Sequence, residues 1–337
     1  MVKIMDIRRV QMTGGSSYII TLPKDWVKNL NIQKNDPIGL LQQSDGTLLI
    51  TSKMNREQTQ RIKEFDVTEI NNKSYLFRKL IAAYISGYNS IILKSKNRIT
   101  PMVRVTIRKF TQTTIGQEVV EETDNKIIIK DLLNPAEMPF NRTIKRMFIM
   151  IKGMYEDAIS ALKNNDTQLA EDILTRDNEI DRLNWLVARQ QNIILRNINF
   201  AEKMGTTTHN ATTSFLISRI LERIGDHIIK IAYNTIDMND YELDETIIKK
   251  FEKASRLSLE LLNKSIGSFF KKDIKEANQN IDNVKELEKL CNEINSNSLT
   301  KNPTLSITLG SNIESIKRIG EYSSDISENV INYLIGD

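Results

Sequence analysis

Between Pro139 and Pro303 the chain contains no proline, and helical periodicity takes over. A proline inside a helix removes a backbone hydrogen bond and collides with the preceding turn, so a span without one is free to form long helices. Ile217, Leu221, Ile224, Ile228 and Ile231 lay one apolar stripe along a single helix. The spacing predicts helices over 141–164, 167–201, 206–236, 243–271, 273–297 and 303–334, the last opened by Asn302-Pro303. The span also repeats itself. Arg223-Ile224-Gly225 returns 95 residues later as Arg318-Ile319-Gly320, and the stretch from Asp166 to Leu183 is mirrored 107 residues on by Asp273 to Leu290. A repeat of about a hundred residues is far longer than a solenoid period. It predicts two tandem three-helix bundles, 141–236 and 243–334.

The second and third helices of the first half each carry an acidic pair. Asp177 and Asp181 lie four apart, as do Glu222 and Asp226, so each pair projects from one side of its helix, one turn apart. Antiparallel neighbours can bring the pairs face to face. Four carboxylates in one place raise their own pKa values unless a cation compensates, and oxygen donors with few nitrogens suit Mg²⁺, Ca²⁺, Mn²⁺ or iron. Spacing alone leaves the alternative open, because charges at i, i+4 are common on solvated helix faces and Arg182, Arg219 or Arg223 can neutralise them. Gly225 costs its helix about 0.8–1 kcal/mol relative to alanine, which predicts a close backbone approach there. His227 is about 100° round the helix from Asp226, a core-edge position. In the second half Val284 and Glu288 stand where Asp177 and Asp181 do, and Lys317 and Glu321 where Glu222 and Asp226 do. A valine cannot coordinate and an ammonium replaces a cation's charge, leaving at most a weak site at Glu321 and Asp325.

Leu221-Glu222-Arg223-Ile224-Gly225-Asp226-His227, preceded by Asp177-x-x-x-Asp181 in a duplicated helical half, resembles the PhoU family over roughly residues 141 to 334. The resemblance implies two three-helix bundles, a metal ion held by Asp177, Asp181, Glu222 and Asp226, and a role in modulating phosphate uptake and its signalling. The first-half motif is the better preserved.

The first 52 residues have another character. Ile7 to Met12 and Ser17 to Leu22 read as strands about a Thr13-Gly14-Gly15-Ser16 turn, Pro23 opens a short helix to Leu30, and Asn31 closes it. Pro37 to Gln42 and Thr47 to Thr51 form a hairpin about Ser44-Asp45-Gly46. Gly15 to Trp26 followed by Asn35-Asp36-Pro37-Ile38 is similar to the AbrB (SpoVT/AbrB-like, swapped-hairpin) DNA-binding fold, with Asn35 where the family more usually has glycine. That resemblance implies an interlaced homodimer and duplex DNA as partner, with Lys3, Arg8, Arg9, Ser16, Ser17, Lys24 and Lys28 as the DNA-facing residues. The alternative is a dimerisation module with ordinary solvated charges.

Residues 53–135 alternate strand and helix: a strand over 63–70, a helix over 73–86, a strand over 90–94, a helix over 101–110, and a hairpin over 118–132 about Thr123-Asp124-Asn125. Pro135 and Pro139 mark the linker that follows. Arg98, Arg104, Arg108 and Lys109 make this layer basic, as expected of a solvated helix face; the alternative is an extension of the DNA-binding surface.

The chain has 337 residues and a net charge of +4, but the charge is unevenly placed, +8 over 1–135 and −4 over the rest. Anions in front and cations behind is the implied partnership. No apolar run approaches a membrane span, and Met1-Val2-Lys3-Ile4-Met5-Asp6 lacks the layout of a signal peptide, so the expected location is the cytoplasm. Cys291, the single cysteine, reads as packing. With two histidines and no Glu-x-x-His, neither a nucleophilic triad nor a di-iron enzyme is indicated. The fold class expected is mixed: a swapped-hairpin β domain (1–52), a small α/β region (53–135) and tandem all-α bundles. The function expected is a phosphate-responsive DNA-binding regulator with a metal-binding sensor. The alternative is an adaptor acting on a phosphate transporter or signalling proteins without DNA.

Overall fold

Hydrogen-bonding side chains set where several of the helices begin in the computed structural model, which describes residues 6–42, 46–52, 61–134, 137–238, 245–297 and 303–336. Lys3, Ser44, Asp45, Pro135 and Asn302, named above, lie outside the described residues. The chain divides into two units, Met1–Thr59 and Gln60–Asp337.

The N-terminal unit holds two antiparallel hairpins, β1 (Gln11–Thr13) with β2 (Ser17–Ile19) and β3 (Gly39–Gln42) with β4 (Leu48–Thr51), and the short helix α1 (Lys24–Asn29). Pro23 is the residue before the first turn, and Asn31 and Asn35 both adopt the left-handed conformation that asparagine tolerates. The first strand pair is shorter than its apolar runs suggest. No described side chain of this unit is buried: Ile7 is 81% exposed, Tyr18 77% and Leu40 63%.

The second unit opens with an α/β layer. Strands β5 (Ile62–Asp66), β6 (Ser90–Lys94), β7 (Gln117–Glu122) and β8 (Lys126–Asp131) form one sheet in the order β5-β6-β8-β7. β5 and β6 are parallel, which requires the crossover helix α2 (Lys73–Ile85), and α3 (Pro101–Thr113) links β6 to β7. β5 stops short of the expected 63–70 because the Asp66 carboxylate accepts the Thr68 N–H at 2.9 Å and turns the chain. Asn72 and Thr100 cap α2 and α3 by accepting the Tyr75 and Val103 N–H groups. Phe65, Ile91, Leu93, Ile127 and Ile129 point to the helix side and pack with Leu76, Leu80, Val103, Ile107 and Phe110.

Six long helices follow: α4 (Phe140–Asn164), α5 (Thr167–Arg196), α7 (Thr208–Asp237), α8 (Glu245–Lys271), α9 (Ile274–Asn297) and α10 (Pro303–Gly336). The helix expected over 167–201 breaks at Asn197, whose extended backbone (φ −141°) separates α5 from the short α6 (Ile198–Lys203). Asp166 and Thr207 cap α5 and α7. α5 and α9 begin 107 residues apart and α7 and α10 begin 95 apart, so the two offsets of the repeat are the starts of the second and third helices of each half. They differ because α5 has 30 residues against 24 in α9 and because α6 lengthens the first connection. The two sets of three helices are not separate cores. One apolar cluster runs from Ile144 to Tyr333 through both, joined where α7 packs on α10 and α4 on α8.

Candidate functional site

Asp177 and Asp181 project from α5, and Glu222 and Asp226 from the adjacent α7, so the structure brings both pairs to one helix junction. Asp177, Asp181 and Glu222 are half-buried and Asp226 stands at the exposed rim. Burial raises all four carboxyls above their ordinary range, and the charges of neighbouring acids add to it at Asp177, Asp181 and Glu222. Asp181 is pushed to about 7, first by burial and then by the charges of Asp177, Glu222 and Asp226. Asp177 is raised by burial and by Asp226. Glu222 and Asp226 are raised by burial, against the opposing charge of Arg219, which lies 3.6 Å from Glu222, and of Arg223 and Lys230. The neutralising arginines weighed from sequence therefore act on α7, while Arg182 pairs instead with Glu179 at 2.6 Å. As placed, no three acidic, histidine or cysteine side chains among the described residues are gathered tightly enough to hold one ion. The site is four electrostatically coupled carboxyls with their oxygens still apart.

The close approach expected at Gly225 is not sterically demanded. A Cβ there would meet Asp177 Oδ1 at 3.7 Å and Ile180 Cγ2 at 3.8 Å, ordinary contacts. Its counterpart Gly320 does need to be glycine, because a Cβ would overlap the buried Leu287 of α9. His227 lies between α7 and α10, with Nδ1 3.3 Å from Ser315 Oγ and its ring 5.7 Å from that of Tyr322; burial, then Lys230 and Arg318, lower its pKa to about 4. It is a neutral packing group. In the second half Val284 is buried, and Glu321 is engaged by Lys317 at 3.5 Å and Arg318 at 2.8 Å. The weak site considered for Glu321 with Asp325 is thus closed by cations of the chain itself.

Sequence reading missed what α5 does beyond the acids. Asp177, Asp181, Trp185 and Arg189 follow at four-residue steps. Trp185 packs edge-on against Phe77 of α2 at 6.2 Å. Arg189, 1% exposed, pairs with Asp131 at 2.6 Å and donates to the carbonyls of Tyr84 and Tyr88. Arg61 and Arg196 both donate to the Ser86 carbonyl. Three guanidiniums thus hold the carbonyl end of α2, where a helix favours positive charge. A lone arginine inside Leu186-Val187-Ala188-Arg189 was the signal.

In the N-terminal unit Arg9, Ser16, Ser17, Lys24 and Lys28 are exposed, and Arg8, also exposed, is tied to Asp6 at 2.6 Å.

A profile of the PhoU domain matches residues 144–235 and 251–330, half of the chain. The chain belongs to the PhoU family. Residues 11–58 match the profile of the antidote-toxin recognition domain MazE, a bacterial antitoxin, consistent with the swapped-hairpin fold of the N-terminal unit. Two curated relatives, each a phosphate-specific transport system accessory protein PhoU homolog from strains of Caulobacter vibrioides, are 34% identical over 92 residues. That match spans 27% of this chain and 37% of the relatives' length. Two crystal structures share the fold: the phosphate transport system regulatory protein PhoU from Streptococcus pneumoniae (TM-score 0.50, 16% identity) and PhoU from Pseudomonas aeruginosa (TM-score 0.52, 18% identity). Each aligns over 59% of this chain, and over 94% and 96% of its own length. The PhoU-like part is thus nearly a whole PhoU, preceded by elements those structures lack room to contain.

Proposed function

We propose that this PhoU-family protein is a DNA-binding transcriptional regulator of phosphate uptake whose helical part senses the signal through a metal ion. The observation that carries the reading is the N-terminal unit: it matches a MazE-type domain and buries none of its described side chains. Fewer than sixty residues with their apolar side chains exposed cannot sustain a fold alone, so a second copy must cover them. The resulting homodimer presents Arg8, Arg9, Ser16, Ser17, Lys24 and Lys28 twice, as a two-fold operator requires.

The donor set suits a divalent or trivalent hard cation, since four raised carboxyls gain most from one. Asp177, Asp181, Glu222 and Asp226 would hold it after side-chain rotation. When bound, the ion supplies positive charge and open coordination positions for an oxyanion such as phosphate. The chain's own residues then carry the response: α5 runs from the cluster to Trp185, Arg189 and Arg196 against α2. No catalysis is proposed. Among the described residues no helix is long and apolar enough to cross a membrane, and the protein is assigned to the cytoplasm.

A second reading is an adaptor that acts on a phosphate transporter or its signalling proteins, with the N-terminal unit used only to dimerise. The name of the Caulobacter relatives favours it, as does the tie between Arg8 and Asp6. A mobility-shift titration of the full protein against promoters of neighbouring phosphate-uptake genes, with and without Mn²⁺, decides between them. Binding weakened by Arg9→Ala and Lys24→Ala is the outcome for the regulator. Dimerisation with no preference over random duplex is the outcome for the adaptor.

A further inference from the structure

Helices α2 and α3 pack side by side over one face of the sheet. Neither contains an acidic residue, and between them they carry Lys73, Arg78, Lys79, Arg104, Arg108 and Lys109. Only Arg104 is neutralised, by Glu122. Among the described residues Lys73, Arg78, Lys79, Arg108 and Lys109 form no ion pair, whereas cations elsewhere on the same layer do: Lys94 with Glu64 at 2.8 Å, Lys126 with Glu121 at 3.0 Å, and Arg98 with Asp124 at 3.4 Å.

The layer is thus two-sided. On the open sheet face Lys94 and Lys126 are paired with Glu64 and Glu121, while Lys130 is not, and on the two helices five of six cations have no ion pair among the described residues. Aromatic rings lie among those cations. Lys79 is 4.7 Å from the Phe65 ring and 5.3 Å from that of Tyr75, which is half-exposed, and Lys109 is 5.4 Å from that of Phe77. An ordinary solvated surface mixes both signs, since unpaired like charges on neighbouring helices repel. Holding these together implies an anion that the isolated chain does not contain.

We infer that the α2/α3 face binds the sugar–phosphate backbone of duplex DNA as a second, sequence-independent contact. The inference rests on the reading of the chain as a DNA-binding protein and extends it to a surface outside the swapped-hairpin unit. The complementarity is of the phosphate type. Lysine and arginine at helical spacing place charge without a fixed acceptor pattern, and no acid or deep cleft is present to select a folded protein partner. Residues 1–52 carry a net charge of only +2, because four acids oppose their six cations, and so supply only part of the attraction an operator-binding protein needs. The α2/α3 cations add the rest, and base reading stays with the N-terminal unit.

The test uses the full chain and a labelled random-sequence duplex of about 30 base pairs, titrated between about 50 and 300 mM NaCl. The variant is Lys73→Gln, Arg78→Gln and Arg108→Gln, three exposed positions that leave the core untouched. Each lost phosphate contact lowers the log–log salt slope by about 0.9, so a fall of about 2–3 is expected, with at least tenfold weaker binding at the low-salt end. Arg78→Lys with Arg108→Lys should retain the wild-type slope. A triple variant that melts like the wild type and keeps its slope and affinity overturns the inference and leaves the N-terminal DNA reading standing. A slope lost in the triple variant but untouched by Arg9→Gln with Lys24→Gln sustains the inference and sinks the reading of the N-terminal unit. No duplex binding by the wild type at low salt overturns both, and assigns the face to an acidic protein segment.

Discussion

Replacing Asp181 by asparagine should make the metal-free protein more stable at neutral pH, because it removes a half-buried carboxyl that faces the charges of Asp177, Glu222 and Asp226. Moving a carboxyl from 3.8 to about 7 corresponds to ~4 kcal/mol for a group sealed from water. Asp181 is half-buried, so screening reduces this to ~1–2 kcal/mol. The sign follows from the direction of the shift. A carboxyl raised in the folded state contributes stability that is complete below its unfolded pKa near 4 and is lost as pH rises through about 7. Metal-free wild type should therefore lose stability between about pH 4 and pH 7 and change little above that, and Asp181→Asn should flatten the loss. At pH 8 the variant's thermal midpoint should be ~2–6 °C higher. With Mn²⁺ at about a hundred times its dissociation constant the order inverts, because the wild type gains about 2.7 kcal/mol and the variant less. Thermal unfolding followed by Trp185 fluorescence, one helical turn from Asp181, reads all four conditions. A variant that is less stable than wild type at pH 8 without metal would refute the argument that these carboxyls repel one another.

The two motif glycines should behave oppositely under the same change. Gly320→Ala should cost ~1–2 kcal/mol, overpacking against Leu287 outweighing the helix gain, while Gly225→Ala should stabilise by up to ~1 kcal/mol; paired urea titrations check the difference. Arg189→Met leaves Asp131 buried without its opposite charge and should destabilise by ~3–5 kcal/mol, and the double change with Asp131→Leu should recover most of it. Two single variants and the double in one denaturation series would expose an additive loss, the result that contradicts a coupled buried pair. Light scattering should find the full chain dimeric and a chain beginning at residue 60 monomeric; a monomeric full chain would contradict the argument from the exposed N-terminal side chains.

The helical half was legible because its signals are local and repeated. A missing proline, a 3.6-residue stripe and capping residues such as Asp166 and Thr207 each act within one turn, so the sequence locates α4 to α10 to within a few residues, apart from the break at Asn197. The acidic pairs were legible for the same reason, since i, i+4 spacing fixes a face. What lies between elements was not. Nothing local says that α5 packs on α2, that Arg189 meets Asp131 across 58 residues, or that Leu287 closes on Gly320. Nor does spacing reveal which cations are paired: Arg98 and Arg104 find acids while Arg108 and Lys109 do not, and that division is set by the β7–β8 hairpin reaching α3.

The duplicated halves have diverged in a way that fits one signalling direction. The four-carboxyl cluster persists only on α5 and α7, and its counterpart on α9 and α10 is filled by Val284 and Lys317. α5 is also the helix with two additional turns, and those turns carry Arg196 onto the Ser86 carbonyl, beside the Arg189 contact. Retained acids and added length therefore fall on the same helix. Under the proposed reading, a cation that drew Asp177 and Asp181 toward Glu222 and Asp226 would shift α5 relative to α7. The buried Arg189 pair leaves α5 no slack against α2, because a desolvated, hydrogen-bonded ion pair resists separation far more than an exposed one. Arg61, which shares the Ser86 carbonyl with Arg196, begins the stretch that leads into β5. Under that reading a change of α5 would be passed to the start of β5, whereas the second half, where Glu321 is already paired with Lys317 and Arg318, would supply the fixed surface against which the change is made.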